Sequence, residues 1–202
     1  MKKCILSTAY WHPVQALCKM TDVDEVALEQ HEHYVKQTYR NRCLIYSANG
    51  VYPLVVPVAK TSGAKMPIRD VRIDYSEPWQ RVHWKAIEAA YRSSAFYDYY
   101  VDDFRPFYER QERFLFDLNE KILRLALDLI GLNVAVNYTD VFTLPPCDIS
   151  PKNPFTTDTK FKPQHYYQVF SSRSGFAANL SILDLLCNEG NNSLSVLQQS
   201  AV

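Results

Sequence analysis

Short apolar runs typical of β-strands alternate along this chain with segments whose apolar residues recur at helical spacing. Strand-like runs are predicted at residues 3–9, 25–30, 42–47, 51–58, 71–74, 133–138 and 166–171. Interleaved strands and helices are typical of α/β proteins, and Asn49-Gly50 between two of these runs predicts an antiparallel hairpin. The sequence therefore predicts an α/β fold with a mixed β-sheet flanked by helices, with Pro53 and Pro57 placing the return strand near an edge.

Helical spacing is clear in two long segments. The helix that follows Pro78 is predicted to bury one face made of Trp79, Val82, Ala86 and Ala89. The longest helix is predicted over residues 106–130, with Leu118 in its apolar stripe and Gly131 as its stop. Two short helices are expected as well, one after Pro13 and one that begins with a capping box of Ser181 and Asp184.

Length and charge limit the class of protein. A chain of 202 residues is long enough to bury about 70% of its unfolded surface in one core. We therefore expect one domain over residues 1–190 and a frayed tail over residues 191–202. Because 22 basic residues balance 22 acidic ones, no bulk charge indicates a nucleic-acid partner, and the oligomeric state stays open.

Targeting signals and cysteine spacing bear on the compartment. No apolar run approaches the ~20 residues of a membrane span, so no membrane insertion is expected. The five cysteines are scattered and never form a C-x-x-C pair, which favours reduced thiols in the cytoplasm. Cys147 lies in an irregular, proline-rich arm over residues 143–163, where a packed thiol is favoured over a nucleophile.

The most unusual stretch is residues 29–42, which reads EQHEHYVKQTYRNR and follows a predicted strand. Its basic half offers groups suited to a phosphate or carboxylate and a ring, namely Tyr34, Lys36, Arg40, Asn41 and Arg42. Ligands of open α/β sheets bind beyond the carboxyl ends of strands, where this stretch lies. The alternative is a solvated surface whose charges pair with Glu29 and Glu32.

Histidines supply further candidates. Glu29, His31 and His33 would share a face if the strand continued, yet the spacing is weak for a metal site, so we predict no metal and no cofactor. His33, with His31 as second choice, is the predicted general base, since imidazole accepts protons near neutral pH.

The turn over residues 10–15 follows the first strand and is a second predicted ligand-binding place, through His12 and Gln15. It lies where nucleotidyltransferases carry H-x-G-H, but here it reads His12-Pro13-Val14-Gln15, without the glycine or the second histidine.

Six segments in fixed order resemble one known family. They are ILSTAYWHPVQ, EQHEHYVKQTYRNR, NGVYPLVVPV, HWKAIEAAYRSSAFYDYYVDDFRPFYE, YYQVFSSRSGF and NLSILDLLCNEG. They resemble compact members of the WbqC-like family of bacterial proteins, and the resemblance runs from about residue 4 to residue 190. Ser7-Thr8 stands where many of those proteins carry a Gln-Pro pair.

The resemblance implies a role in the biosynthesis of bacterial cell-surface polysaccharide of the O-antigen type. It implies in particular a transferase that moves an aminoacyl (glycyl) group to an activated, nucleotide-linked amino sugar. Two alternatives remain: a non-catalytic sugar-nucleotide or partner-binding protein of such a pathway, and a divergent nucleotidyltransferase that uses residues 10–15.

Overall fold

The parallel sheet at the centre of the molecule has the strand order β1-β2-β5. The computed structural model describes residues 2–59, 65–143 and 161–201. The strands are β1 (Lys3–Ser7), β2 (Glu25–Glu29), β3 (Arg42–Ser47), β4 (Gly50–Val55) and β5 (Ala135–Tyr138). β3 and β4 form a separate antiparallel pair, so the predicted α/β fold with strands of both directions is confirmed, with the two directions in two sheets.

β2 is the middle strand because both of its faces are apolar. Val26, Ala27 and Leu28 are buried on both sides of the sheet, as expected for a strand with parallel neighbours. The register pairs Ser7 with Glu29 and Leu28 with Tyr138. The carboxyl ends of all three strands therefore meet at one edge of the sheet.

The β3–β4 hairpin is confirmed, and Gly50 determines its geometry. Gly50 has a φ of +99°, a value that disfavours any side chain, whereas Ala48 and Asn49 in the turn itself have ordinary negative φ. A two-residue turn followed by a left-handed glycine is a G1-bulge type of hairpin. Pro53 lies in β4, which has β3 as its only neighbour in this two-stranded sheet.

The helices cover both sheets and carry most of the remaining core. They are α1 (Val14–Cys18), α2 (Trp79–Tyr91), α3 (Tyr97–Phe104), α4 (Pro106–Glu109), α5 (Leu115–Ile130), α6 (Ser171–Ser174), α7 (Ile182–Glu189) and α8 (Ser193–Ser200). α5 ends as predicted at Gly131, which takes the left-handed conformation at φ +75°.

The long helix near residues 106–130 begins later than predicted. α5 starts at Leu115, and α4 is a separate short helix. Between them the chain is extended because its backbone pairs with residues 71–75: Ile73 N donates to the Arg113 carbonyl and Leu115 N to the Val71 carbonyl. That pairing forms isolated bridges, so the strand predicted at residues 71–74 is wrong.

The buried face of α2 was also predicted wrongly. Trp79 is buried, but Val82 is 54% exposed, and the buried positions continue through His83 and Ile87. His83 is tolerated in the core because both ring nitrogens have partners, the Tyr10 hydroxyl and the Val55 backbone.

The carboxyl-terminal part differs from the prediction in three respects. Residues 166–171 form no strand, because the Gln168 side chain bonds the backbone of Ala177 instead. Ser181 precedes α7 as expected but makes no capping hydrogen bond with its side chain. In place of a frayed tail, α8 packs Val196 and Leu197 into the core.

Most of the proline-rich arm over residues 143–163, including Cys147, lies outside the described residues. Within the described ranges, no helix has the length and apolar character needed to cross a membrane.

Leu118 tests the packing of α5. The side chain is 1% exposed, so Leu118→Ala should lower the free energy of unfolding by about 2–5 kcal/mol through lost burial and the cavity left behind. Half-buried Leu125 on the same helix is the control, and Leu125→Ala should cost less. Urea unfolding of both variants measures the difference, and equal costs would mean that the buried face of α5 is misassigned.

Candidate functional site

The polar stretch of residues 29–42 lies at the carboxyl edge of the parallel sheet. It leaves β2 at Glu29 and enters β3 at Arg42. A backbone hydrogen bond from Tyr10 N to the Tyr39 carbonyl, 2.9 Å long, ties it to the turn that follows β1. Two loops of the predicted site therefore lie side by side, as the strand-end rule anticipated.

A buried ion pair holds this stretch in place. Arg40 Nε donates to Glu32 Oε1 at 3.0 Å, and Arg40 Nη2 donates to Glu32 Oε2 at 2.5 Å. Ser7, the last residue of β1, donates to Glu32 Oε2 at 3.0 Å and accepts from Arg40 Nη2 at 3.1 Å. Both charged side chains are 5% exposed.

This geometry corrects two expectations for the stretch. Arg40 is buried and bonded to Glu32, so we assign it a structural role in place of the predicted contact with ligand. The alternative expected the basic residues to pair with Glu29 and Glu32: the pairing of Arg40 with Glu32 is found, but it is buried and not solvated. Asn41 is likewise structural: its side-chain amide donates to the Val56 carbonyl at 2.9 Å.

Arg42 differs from Arg40 in its surroundings. It is half-buried, its Nε is buried without a hydrogen-bond partner, and no carboxylate of the described residues forms an ion pair with it. Burial raises the pKa of Tyr34, and the nearby guanidinium groups of Arg42 and Arg40 oppose that rise. The Tyr34 hydroxyl therefore lies within electrostatic reach of both guanidinium groups, and Lys36 is exposed on the same loop.

The three residues weighed as metal ligands do not converge. β2 ends at Glu29, whose buried carboxylate accepts the backbone N–H groups of His31 and Thr143, each at 2.6 Å. The His31 ring turns to the Thr139 carbonyl, which Nε2 contacts at 3.0 Å, so Nε2 carries a proton. No group of three metal-ligating side chains occurs in the described part of the chain.

His33, the predicted general base, is exposed beside Tyr34. Its backbone forms an antiparallel bridge with Pro67, flanked by hydrogen bonds from Tyr34 N to Met66 and from Ile68 N to Glu32. Residues 65–69 therefore border the site, although the sequence reasoning did not include them. Their alternation of exposed Lys65, Pro67 and Arg69 with Met66 and Ile68 was the signal that could have found them.

The second predicted place, residues 10–15, is closed. Gln15 is 1% exposed and forms a reciprocal pair with Asn179: its backbone N–H donates to Oδ1, and Asn179 Nδ2 donates to its Oε1. His12 is 2% exposed, and neither ring nitrogen has a hydrogen-bond partner within the described residues. Burial lowers the pKa of His12 to about 4.

Cysteine chemistry is not indicated in the described part of the chain. Cys43 and Cys187 are fully buried, and burial raises the pKa of both thiols, which disfavours the reactive thiolate. A groove of about 390 Å³ lies between the end of α5 and β5, and it is lined by none of the predicted site residues.

These observations define an α/β protein in which a half-buried arginine, without an acidic partner among the described residues, follows a loop at the carboxyl edge of a parallel sheet. The WbqC-like protein family matches residues 10–146, more than half of the chain, so the chain belongs to the WbqC-like protein family. It is similar to "Uncharacterized protein Rv1507c" of Mycobacterium tuberculosis, with 30% identity over 112 residues, which are 55% of this chain and 48% of that protein. The chain thus spans about half the length of that relative. No solved structure matches it.

The Glu32–Arg40 pair generates a stability prediction. Arg40→Met leaves a buried carboxylate unpaired, which should lower the free energy of unfolding by about 3–5 kcal/mol. The double variant Glu32→Met/Arg40→Met removes both charges and should recover most of that loss. Urea unfolding of the single and double variants measures both changes. A single variant whose free energy of unfolding lies within about 1 kcal/mol of the parent's would contradict the prediction.

Buried titratable groups predict how stability depends on pH. The pKa of His12 and of His83 is lowered by burial to about 4, so the unfolded chain binds these protons first and stability falls as pH drops from 6.5 to 4. Burial raises the pKa of Asp184 to about 6, despite hydrogen bonds from Tyr166 and Gln168. Asp184 therefore changes stability in the opposite direction. Between pH 6 and the lower pKa that Asp184 has in the unfolded chain, the folded protein binds this proton and the unfolded chain does not, so protonation of Asp184 stabilises the fold as the pH drops.

The destabilising effect of the two histidines exceeds the stabilising effect of the one aspartate, so the free energy of unfolding should fall on acidification from pH 7 to pH 4. His83→Gln should reduce that fall by up to about 3 kcal/mol, and Asp184→Asn should enlarge it. Urea unfolding of the parent and of the two variants at pH 7, 5.5 and 4 gives, for each protein, the slope of the free energy of unfolding against pH. A His83→Gln slope equal to that of the parent would show that His83 does not control this dependence.

Proposed function

We propose that this chain binds an activated, nucleotide-linked sugar and acts on it as a transferase in bacterial cell-surface polysaccharide biosynthesis. The observation that carries the proposal is Arg42, which is half-buried, has no acidic partner among the described residues and lies beside Tyr34. A guanidinium in that position is suited to two parallel hydrogen bonds with a phosphate. Membership of the WbqC-like family supports the pathway.

The two arginines of this loop differ in their roles, which favours a ligand with few negative charges at this position. Arg40 is neutralised by Glu32, so Arg42 and the exposed Lys36 are the cations that the loop offers. The phosphates of a nucleotide-linked sugar match two cations. Tyr34 offers a ring face and a hydroxyl to the adjoining part of the ligand.

The finer reaction proposed, in the cytoplasm, is attack of the amine of the bound sugar on the carbonyl carbon of an aminoacyl ester or thioester. The C–N bond forms, the C–O or C–S bond of the donor breaks, and the donor leaves as an alcohol or a thiol. His33 is the proposed general base, because it is exposed beside Tyr34 and an imidazole can accept the proton of the attacking amine. No nucleophile–base pair is needed for such a direct transfer.

A non-catalytic sugar-nucleotide-binding protein is the second candidate. It is favoured by the state of the two histidines: the described residues supply no carboxylate to orient His33, and His31 is engaged by Thr139. The nucleotidyltransferase alternative gains no support, since His12-Pro13-Val14-Gln15 lacks the glycine and the second histidine of H-x-G-H.

Arg42→Gln should weaken binding of UDP-N-acetylglucosamine by about 2 kcal/mol, roughly 30-fold, through loss of a charge-assisted contact. Folding should be nearly unchanged, because Arg42 holds no ion pair with the described residues. Arg81→Gln is the matched control, since Arg81 is an exposed arginine on α2. Titration calorimetry measures both, and unchanged affinity in Arg42→Gln would rule out this pocket.

His33→Gln separates the two candidates. With an aminoacyl donor and UDP-glucosamine, whose 2-amine is free to be acylated, a transferase should lose turnover in His33→Gln while keeping its affinity for the sugar nucleotide. A binding protein should show affinity without turnover in the parent as well. Coupled measurement of product formation and calorimetric affinity on the same preparations decides between them.

A further inference from the structure

The turn after β1 combines strain with a buried side chain that lacks partners. Trp11 has a φ of +42°, a left-handed conformation that is an outlier for so bulky a residue. The next residue, His12, is 2% exposed, with both ring nitrogens unpartnered among the described residues. Thr8, at the start of the turn, is 1% exposed and its hydroxyl is likewise unpartnered there.

Such a combination calls for a physical explanation. Buried polar groups in native proteins are almost always hydrogen-bonded, and strained backbone is concentrated at ligand clamps and switching segments. Residues 8–12 also lie at the carboxyl edge of the sheet and are bonded to the Arg42 loop through Tyr10 and Tyr39. The turn is therefore joined by a backbone hydrogen bond to the loop that leads to Arg42.

A hydrogen-bonded chain holds the turn in its strained form. Trp11 Nε1 donates to the Tyr108 hydroxyl at 2.8 Å, and Tyr108 lies 2.9 Å from the Tyr10 hydroxyl. The Tyr10 hydroxyl in turn lies 3.1 Å from His83 Nδ1. The Trp11 ring also meets Phe104 edge-on at 5.1 Å between centroids.

Trp11 Nε1 can only donate, so the Tyr108 hydroxyl accepts this bond. Either hydroxyl can donate in the Tyr108–Tyr10 bond, and the direction of the Tyr10–His83 bond depends on the tautomer of His83. Both ring nitrogens of His83 have partners, the Tyr10 hydroxyl and the Val55 backbone. The Tyr108 hydroxyl is the point at which the turn is bonded to α4.

We propose that residues 8–13 are a latched loop whose opening presents His12 and Thr8 to the uncharged, hydrogen-bonding part of the ligand. The Trp11–Tyr108 hydrogen bond is the side-chain latch, and backbone hydrogen bonds from Tyr10 N to the Tyr39 carbonyl and from Ile182 N to the His12 carbonyl hold the same segment. A neutral imidazole and a hydroxyl, each able to donate and accept, fit sugar hydroxyls or the edge of a base. The ligand class rests on the proposed function, whereas the latch does not.

The test begins without any ligand, by carbethoxylation of histidines with diethyl pyrocarbonate and peptide mass spectrometry. Exposed His33 is the internal reference, and His12 should react much more slowly in the parent. Tyr108→Phe should raise the relative rate of His12 about fivefold or more, the factor expected for loss of an ordinary hydrogen bond. Tyr10→Phe keeps the Trp11–Tyr108 bond and should lie between the two.

Tyr100→Phe is the matched control. Tyr100 is as buried as the latch residues, but its hydroxyl has no partner among the described residues, so His12 should stay protected. Urea unfolding of each variant excludes global loosening as the cause. Equal rates for His12 and His33 in the parent, an unchanged His12 rate in Tyr108→Phe, or an equal rise in Tyr100→Phe would each overturn the latch.

Calorimetry with UDP-N-acetylglucosamine tests the ligand contact. If the probe binds the open loop, Tyr108→Phe should bind it up to about fivefold more tightly, because less of the binding energy opens the loop, and His12→Ala should bind it more weakly. Greater His12 reactivity without tighter binding would overturn the assignment of His12 as a contact. Absence of probe binding in every variant would overturn the proposed ligand class. The latch would then be tested by the reactivity of His12 alone.

Discussion

The buried ion pair of Glu32 and Arg40 determines the course of the chain between β2 and β3. Two opposite charges away from water are stable only with close geometry and satisfied hydrogen bonds. Here the pair closes over Ser7 at the end of β1, so the loop is held against the sheet. Asn119 of α5 adds a bond to the Arg40 carbonyl, which fixes the next residues, Asn41 and Arg42, relative to the long helix.

That constraint separates cations by role within a few residues. Arg40 is paired with Glu32 inside the protein, and half-buried Arg42 has no acidic partner among the described residues. The same edge of the sheet carries the strained turn at Trp11, so the two loops with unusual energetics are adjacent.

Local sequence patterns correctly predicted the elements that depend on residues close together in the chain. β2 follows from a continuous apolar run, the β3–β4 hairpin from Asn49-Gly50, and the end of α5 from Gly131. Predictions failed where contacts with residues distant in the chain determine the local structure. The buried face of α2 includes His83 because Tyr10 satisfies it, and residues 110–114 are extended because residues 71–75 pair with them.

The sequence by itself determined the α/β class, the family and the place of a polar stretch at a strand end. Those conclusions depend on apolar periodicity, turn residues and the order of motifs, which are properties of neighbouring positions. Only the tertiary structure decided that Arg40 is buried and paired with Glu32, that Arg42 has no acidic partner among the described residues and that His12 is buried. Burial and charge pairing depend on distances between residues remote in the chain, such as Ser7 and Arg40 or Trp11 and Tyr108, and a linear pattern does not contain those distances.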